Sequence, residues 1–89
     1  MPTAAPPKAD FIGQPRNGVA PLYVQFTDKS EGIITSWEWD FGDGAKSSKQ
    51  NALHTYQSKG QYTVSLKVTG PGGTDTAIKQ GYITVGSPN

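Results

Sequence analysis

His54 is the chain's single histidine, and there is no cysteine. A nucleophile–base–acid arrangement of the serine-hydrolase kind would have to run through His54. It stands in the short run Ala52-Leu53-His54-Thr55-Tyr56, and no nucleophile-elbow sequence accompanies it. A structural hydrogen bond is the role that setting supports, and thiolate metal sites are excluded. Glu38 and Asp40 lie two residues apart, on one face of an extended strand and about 7 Å from each other. A glycosidase can use that separation, but no sequence around the pair builds a sugar cleft, so solvated carboxylates are expected. Asp40 and Asp43 flank Phe41-Gly42, and Ca²⁺ favours carboxylate and carbonyl oxygens. They are the candidate calcium ligands, with Asp28 or Asp75 needed to complete the set. The Asp-x-x-Asp-Gly string has no closing glutamate of the EF-hand kind, and acceptance of turn amides is the competing and favoured use of both carboxylates. Tyr23 and Trp37 are the candidate ligand-binding rings: Tyr23 is predicted to point outward, and Trp37 stands near the start of its strand, where exposed rings can stack on sugars or contact collagen. Trp37 shares parity with Trp39, so core packing is its default.

These residues need elements to hold them, and the chain is organised around Trp37-Glu38-Trp39-Asp40-Phe41-Gly42-Asp43-Gly44. Trp37, Trp39 and Phe41 alternate with polar residues, which places three rings on one face of a strand. Gly42-Asp43-Gly44 then reverses the chain, because glycine accepts a positive φ. Around this strand the alternation predicts others. The first covers Ala9–Gly13 with Phe11 inward, followed by a turn region over Gln14–Ala20. The second is Pro21–Asp28, with Leu22, Val24 and Phe26 inward. Ala45–Gln50 reads as a short edge strand guarded by lysines, and Ala52–Tyr56 as another strand. Tyr62, Val64, Leu66 and Val68 form the clearest inward set. A Gly70-Pro71-Gly72-Gly73 hairpin leads into Thr74–Val85, with Ile83 and Val85 inward and a kink at Gly81. The predicted core is Phe26, Trp39, Phe41, Tyr62, Val64 and Leu66. The expected fold is all-β: an immunoglobulin-like antiparallel β-sandwich of about seven strands. Trp39 falls on the third strand, where such sandwiches bury a tryptophan. Tyr62, two residues before inward Val64, has the position of a tyrosine corner. An odd number of antiparallel strands predicts that Ala9 and Val85 lie at opposite ends.

With 89 residues the chain suits one domain with a modest core. Its 11 glycines and 7 prolines suit short strands and turns. The net charge is +1 with one arginine and no basic run, which argues against nucleic acid as a partner. No apolar stretch reaches the length needed for membrane insertion, and no signal-peptide pattern opens the sequence. Residues 1–8 read as a Pro-rich linker, 9–85 as the folded domain and 86–89 as a second linker, the pattern of a module within a longer chain.

Trp39-Asp40-Phe41-Gly42-Asp43-Gly44, His54-Thr55-Tyr56, Gly60-Gln61-Tyr62-Thr63-Val64 and the closing Ile83-Thr84-Val85 together resemble a PKD domain. Pro21–Asp28 is similar to the family's second strand, and the resemblance runs from Ala9 to Val85. It implies a non-catalytic, immunoglobulin-like sandwich at an extracellular or cell-surface location. It also implies a role as a spacer in a multidomain, surface-layer-like protein, or as an accessory polysaccharide- or collagen-binding module on a secreted hydrolase. The implied partners are the neighbouring domains of the same chain, with other surface proteins or polysaccharide as further candidates. No cofactor is implied beyond the Ca²⁺ that some collagenase members bind near this motif.

Overall fold

The structure is a computed structural model that describes residues 5–86. Most of the closing linker, and the first half of the Pro-rich one, lie outside the described residues. Eight strands form in order: β1 Phe11–Gln14, β2 Asn17–Val19, β3 Leu22–Asp28, β4 Ser36–Asp40, β5 Lys46–Ser47, β6 Ala52–Tyr56, β7 Gly60–Gly70 and β8 Gly73–Gly86. They make two sheets, β1-β3-β6 and β2-β8-β7-β4-β5. The sheets face each other across a core of Phe11, Val24, Phe26, Trp39, Phe41, Tyr56, Val64, Leu66, Val68, Ile83 and Val85.

Period-two alternation explains which side chains are inside. Leu22, Val24 and Phe26 of β3 are buried while Tyr23 and Gln25 are exposed. On β7, Val64, Leu66 and Val68 are fully buried. Trp39 is fully enclosed and Trp37 half-buried. Tyr62, expected in the core, is only half-buried: its ring packs on that of Tyr56 with centroids 4.5 Å apart, while its hydroxyl turns out to the preceding loop. It nevertheless makes the expected corner: its hydroxyl donates to the Ser58 carbonyl at 2.6 Å, four residues upstream. The lysine-guarded edge strand is present as β5. The kink at Gly81 is a bulge, where the β7–β8 register jumps between Tyr62↔Ile83 and Val64↔Lys79.

The region expected as a turn, Gln14–Ala20, contains a strand. β2 pairs in parallel with β8 through Asn17↔Thr84, Gly18↔Val85 and Val19↔Gly86. The sandwich is therefore not wholly antiparallel. β1 and β2 run in the same direction in different sheets, as two halves of one strand that changes sheet around Pro15. Counted so, seven strands remain, and the predicted placement of the ends holds. The Ala9 amide donates to Asp75 Oδ2 at 2.7 Å, near the β7–β8 hairpin. Val85, at the far end of β8, pairs with Gly60. The body measures 60 × 19 × 19 Å with a radius of gyration of 14.3 Å, against about 12 Å for a compact domain of this length.

Candidate functional site

The turn after β4 is the most densely bonded candidate. Asp40 Oδ1 accepts the Gly42 amide at 3.0 Å, and Asp43 Oδ1 accepts the Ala45 amide at 3.1 Å. Each carboxylate thus closes the local turn with one oxygen. Gly42 has φ +86°, and a Cβ there would collide with the Thr63 carbonyl, so the reversal requires glycine. Asp43 Oδ2 reaches His54 Nε2 at 2.7 Å. A carboxylate only accepts, so Nε2–H donates. This contact ties the turn of the five-stranded sheet to β6 of the other sheet. His54 stacks on Phe41 with ring centroids 4.3 Å apart and planes at 7°, and meets Tyr56 edge-on at 4.7 Å. Tyr56 is fully buried and donates to the Phe41 carbonyl at 2.8 Å. Burial pushes its phenol well above the ordinary range, with smaller contributions from Asp43, Tyr62 and Asp40. His54 has the hydrogen-bonding role its sequence setting suggests.

Among the described residues the fold does not bring a third acid to Asp40 and Asp43. Asp28 lies at the opposite end of the sandwich, where its Oδ2 accepts Trp37 Nε1 at 2.9 Å. Asp75 also lies toward that end, holding Ala9. Among the described residues no group of three or more His, Cys, Asp or Glu is arranged to hold a metal. Glu38 and Asp40 do share the outer face of the five-stranded sheet. They line a shallow hollow of about 170 Å³ with Lys46, Ser65, Lys67 and Thr76. The lysines are their cross-strand neighbours, through Glu38↔Lys67 and Asp40↔Lys46. Two carboxylates interleaved with ammonium groups on an open face make a mixed-charge surface, not an acid–base pair around a substrate.

The two candidate rings are not brought together. Trp37 packs against the core from the five-stranded sheet, with its indole N–H committed to Asp28. Tyr23 stands on the outer face of the other sheet, 62% exposed. Its surroundings are what residue-by-residue reading missed. Ile12, Gln14, Gln25, Thr27, Leu53 and Thr55 share that face, placed by the pairs Ile12↔Thr27, Gln14↔Gln25, Gln25↔Leu53 and Tyr23↔Thr55. None carries a carboxylate or an ammonium. The alternation of β1, β3 and β6 held this signal, but only the pairing order places the three strands side by side.

The fold defines a class of protein: an immunoglobulin-like sandwich module. The profile of the PKD domain family matches residues 4–85, and the chain belongs to that family. It is 35% identical over 88 residues to collagenase ColQ1 of Bacillus cereus strain Q1, covering 88% of this chain and 9% of that protein. The chain thus spans under a tenth of the length of that relative. Among solved structures, the PKD1 domain of the Vibrio cholerae metalloprotease PrtV superposes with a TM-score of 0.75 at 32% identity, covering 91% of this chain and 98% of that one. A structure from work on the promiscuous specificity of carbohydrate-binding modules of the β-sandwich superfamily superposes with a TM-score of 0.84 at 31% identity, covering 98% of this chain and 37% of that one.

Proposed function

We propose that this domain is an extracellular spacer that holds its neighbours apart within a multidomain protein. The observation that carries the reading is the position of the chain ends. The path enters beside the β7–β8 hairpin and leaves at the far end of β8, so a domain added at either end extends the long axis. The collagenase and metalloprotease relatives favour a secreted hydrolase as the parent over a surface-layer array. Small-angle scattering on two tandem copies tests this. The maximum dimension should grow by roughly the length of one domain, since proline-rich junctions resist folding back. A side-by-side pair of unchanged length would overturn the reading.

A second reading has its own observation. The outer face of β1-β3-β6 offers a tyrosine ring, two amide side chains and two threonine hydroxyls without fixed charge, which is chemistry suited to a neutral, hydroxyl-rich chain. On this reading the domain is an accessory polysaccharide-binding module, in keeping with its likeness to a carbohydrate-binding module structure. Binding to insoluble cellulose or chitin that is lost in Tyr23→Ala and kept in Trp37→Phe would support it. Binding to a collagen peptide alone would point to fibrous protein instead.

A further inference from the structure

A sheet edge carries unpaired N–H and C=O groups, and soluble proteins protect such edges with charge, proline, bulges or cover. Three of the four edges here are protected. The free side of β1 faces β8, and three β8 side chains cap its backbone. Asp75 accepts from the Ala9 amide, Lys79 donates to the Phe11 carbonyl, and the Tyr82 hydroxyl accepts from the Gly13 amide. β2 is three residues long and lies between Pro15 and Pro21. β5 is two residues long and is bracketed by Lys46 and Lys49.

β6 has none of these devices. It is five residues long and pairs with β3 in unbroken register from Leu22↔Tyr56 to Phe26↔Ala52. It holds no lysine, no proline and no bulge. Among the described residues its backbone makes no hydrogen bond beyond those to β3. Leu53 projects from it 73% exposed, beside a depression of about 300 Å³ lined by Gln25, Asn51, Ala52 and Leu53.

We propose that the β6 edge is a docking strand for β6 of a second copy of this chain, which goes beyond the spacer reading. A two-fold axis through His54 and perpendicular to the sheet sets the two strands antiparallel, the only sense that axis allows. The result is a continuous six-stranded sheet, β1-β3-β6 followed by its mirror order in the partner, antiparallel throughout. Ala52 then faces Tyr56, and Leu53 faces Thr55, across both halves. A self-complementary strand must not oppose like charges; this one carries no carboxylate or ammonium, and His54, which meets its own copy at the axis, has its Nε2 engaged by Asp43 within each chain. Leu53 of each copy meets the other's apolar and hydroxyl groups, so the exposed patch of Leu53 and Tyr23 becomes the centre of one neutral surface. Five residues of ladder bury far less than the roughly 1,200–2,000 Å² of a stable interface. The association is therefore weak and reversible, and it sets two rods side by side with their long axes opposed.

Sedimentation equilibrium over a wide concentration range tests it. The wild-type chain should show a monomer–dimer equilibrium. Leu53→Lys with Thr55→Lys should weaken it by about tenfold or more, since like charges then face each other twice. Leu53→Glu with Thr55→Glu should do the same, and mixing the two double variants should restore dimers. Both positions face solvent, and unchanged circular dichroism confirms folding. Amide exchange of the wild type supplies a reading free of variants. The edge-facing amides of β6 should be slower at high concentration than at low, and those of β5 should not change. A chain that stays monomeric throughout, or a dimer indifferent to these substitutions and without concentration-dependent β6 protection, would overturn the proposal.

Discussion

Replacing Trp39 tests whether this fold rests on its ring cluster. The side chain is fully buried. Its ring lies 5.2 Å from that of Phe11, 5.4 Å from Phe26 and 6.2 Å from Phe41. Its indole N–H donates to the Lys49 carbonyl at 2.7 Å, which pins the loop between β5 and β6. Two substitutions separate these contributions. Trp39→Phe keeps a ring but removes the donor, at about 1 kcal/mol for the hydrogen bond. It also leaves a small void, so the total should come to about 2 kcal/mol. Trp39→Ala deletes the ring as well and should cost about 3–5 kcal/mol. A domain of this length is stable by roughly 4–13 kcal/mol, so the alanine variant should be substantially unfolded or have a much lower urea midpoint. Urea melts followed by far-ultraviolet circular dichroism measure both. An alanine variant that loses less than about 1 kcal/mol would mean that the cluster around Trp39 does not carry the core. Equal losses for the two variants would assign the cost to the Lys49 bond instead of the ring.

Further outcomes follow from the turn and its surroundings. Gly42→Ala should cost at least about 2 kcal/mol, because φ is positive there and the methyl group meets the Thr63 carbonyl; a melt within ~0.5 kcal/mol of wild type would show that the turn does not need its glycine. Tyr56→Phe should cost about 1 kcal/mol at neutral pH through loss of the bond to the Phe41 carbonyl. The same variant changes the alkaline behaviour. The folded state holds the Tyr56 proton more tightly than the unfolded state does, so this contribution is intact below about pH 10 and falls as pH rises past it. The variant should lose stability less steeply above pH 10, and identical alkaline slopes would refute the argument. Millimolar Ca²⁺ should leave the melting temperature unchanged, since Asp40 and Asp43 are each engaged with a turn amide and no third acid among the described residues joins them; a rise abolished by Asp43→Ala would establish a site by mass action.

Parity was the most legible property of the sequence. Alternation along β3, β4 and β7 correctly separates Phe26, Trp39 and Leu66 from Tyr23, Glu38 and Lys67, because a strand has only two faces and one of them must be dry. The positive-φ turn at Gly42 was legible too, and so was an irregularity at Gly81. What stayed hidden depends on long-range pairing. Asn17-Gly18-Val19 is wholly exposed and has no alternation; it is a strand only because Thr84–Gly86 offers it a ladder. Likewise Asp28 and Asp75 are acids of the right type for a cation site, but the topology delivers them to the end away from Asp40 and Asp43. Composition gave the acids, and only the strand order gave their distances.

The β8 strand shows how a core-facing position can be read wrongly and yet informatively. Asp75, Ala77, Lys79, Ile83 and Val85 all share one parity, and the last two are buried. A core strand would carry apolar residues at all five. Instead Asp75 and Lys79 break the pattern over the half of β8 that faces β1. There a gap lies between β8 and the first strand, with no backbone ladder across it. The polar side chains bridge it, reaching alternate residues Ala9 and Phe11 of the first strand, and Tyr82 continues the series at Gly13. Lys79 also lies 4.8 Å from the Phe11 ring centre and 5.1 Å from that of Tyr82, so its stem and charge are both engaged. Past Pro15 this work passes to the backbone, when β2 joins β8 directly. The first strand is thus held along its whole length by one partner, first through side chains and then through a parallel ladder. That continuity lets the chain enter at one end of a long body and leave at the other.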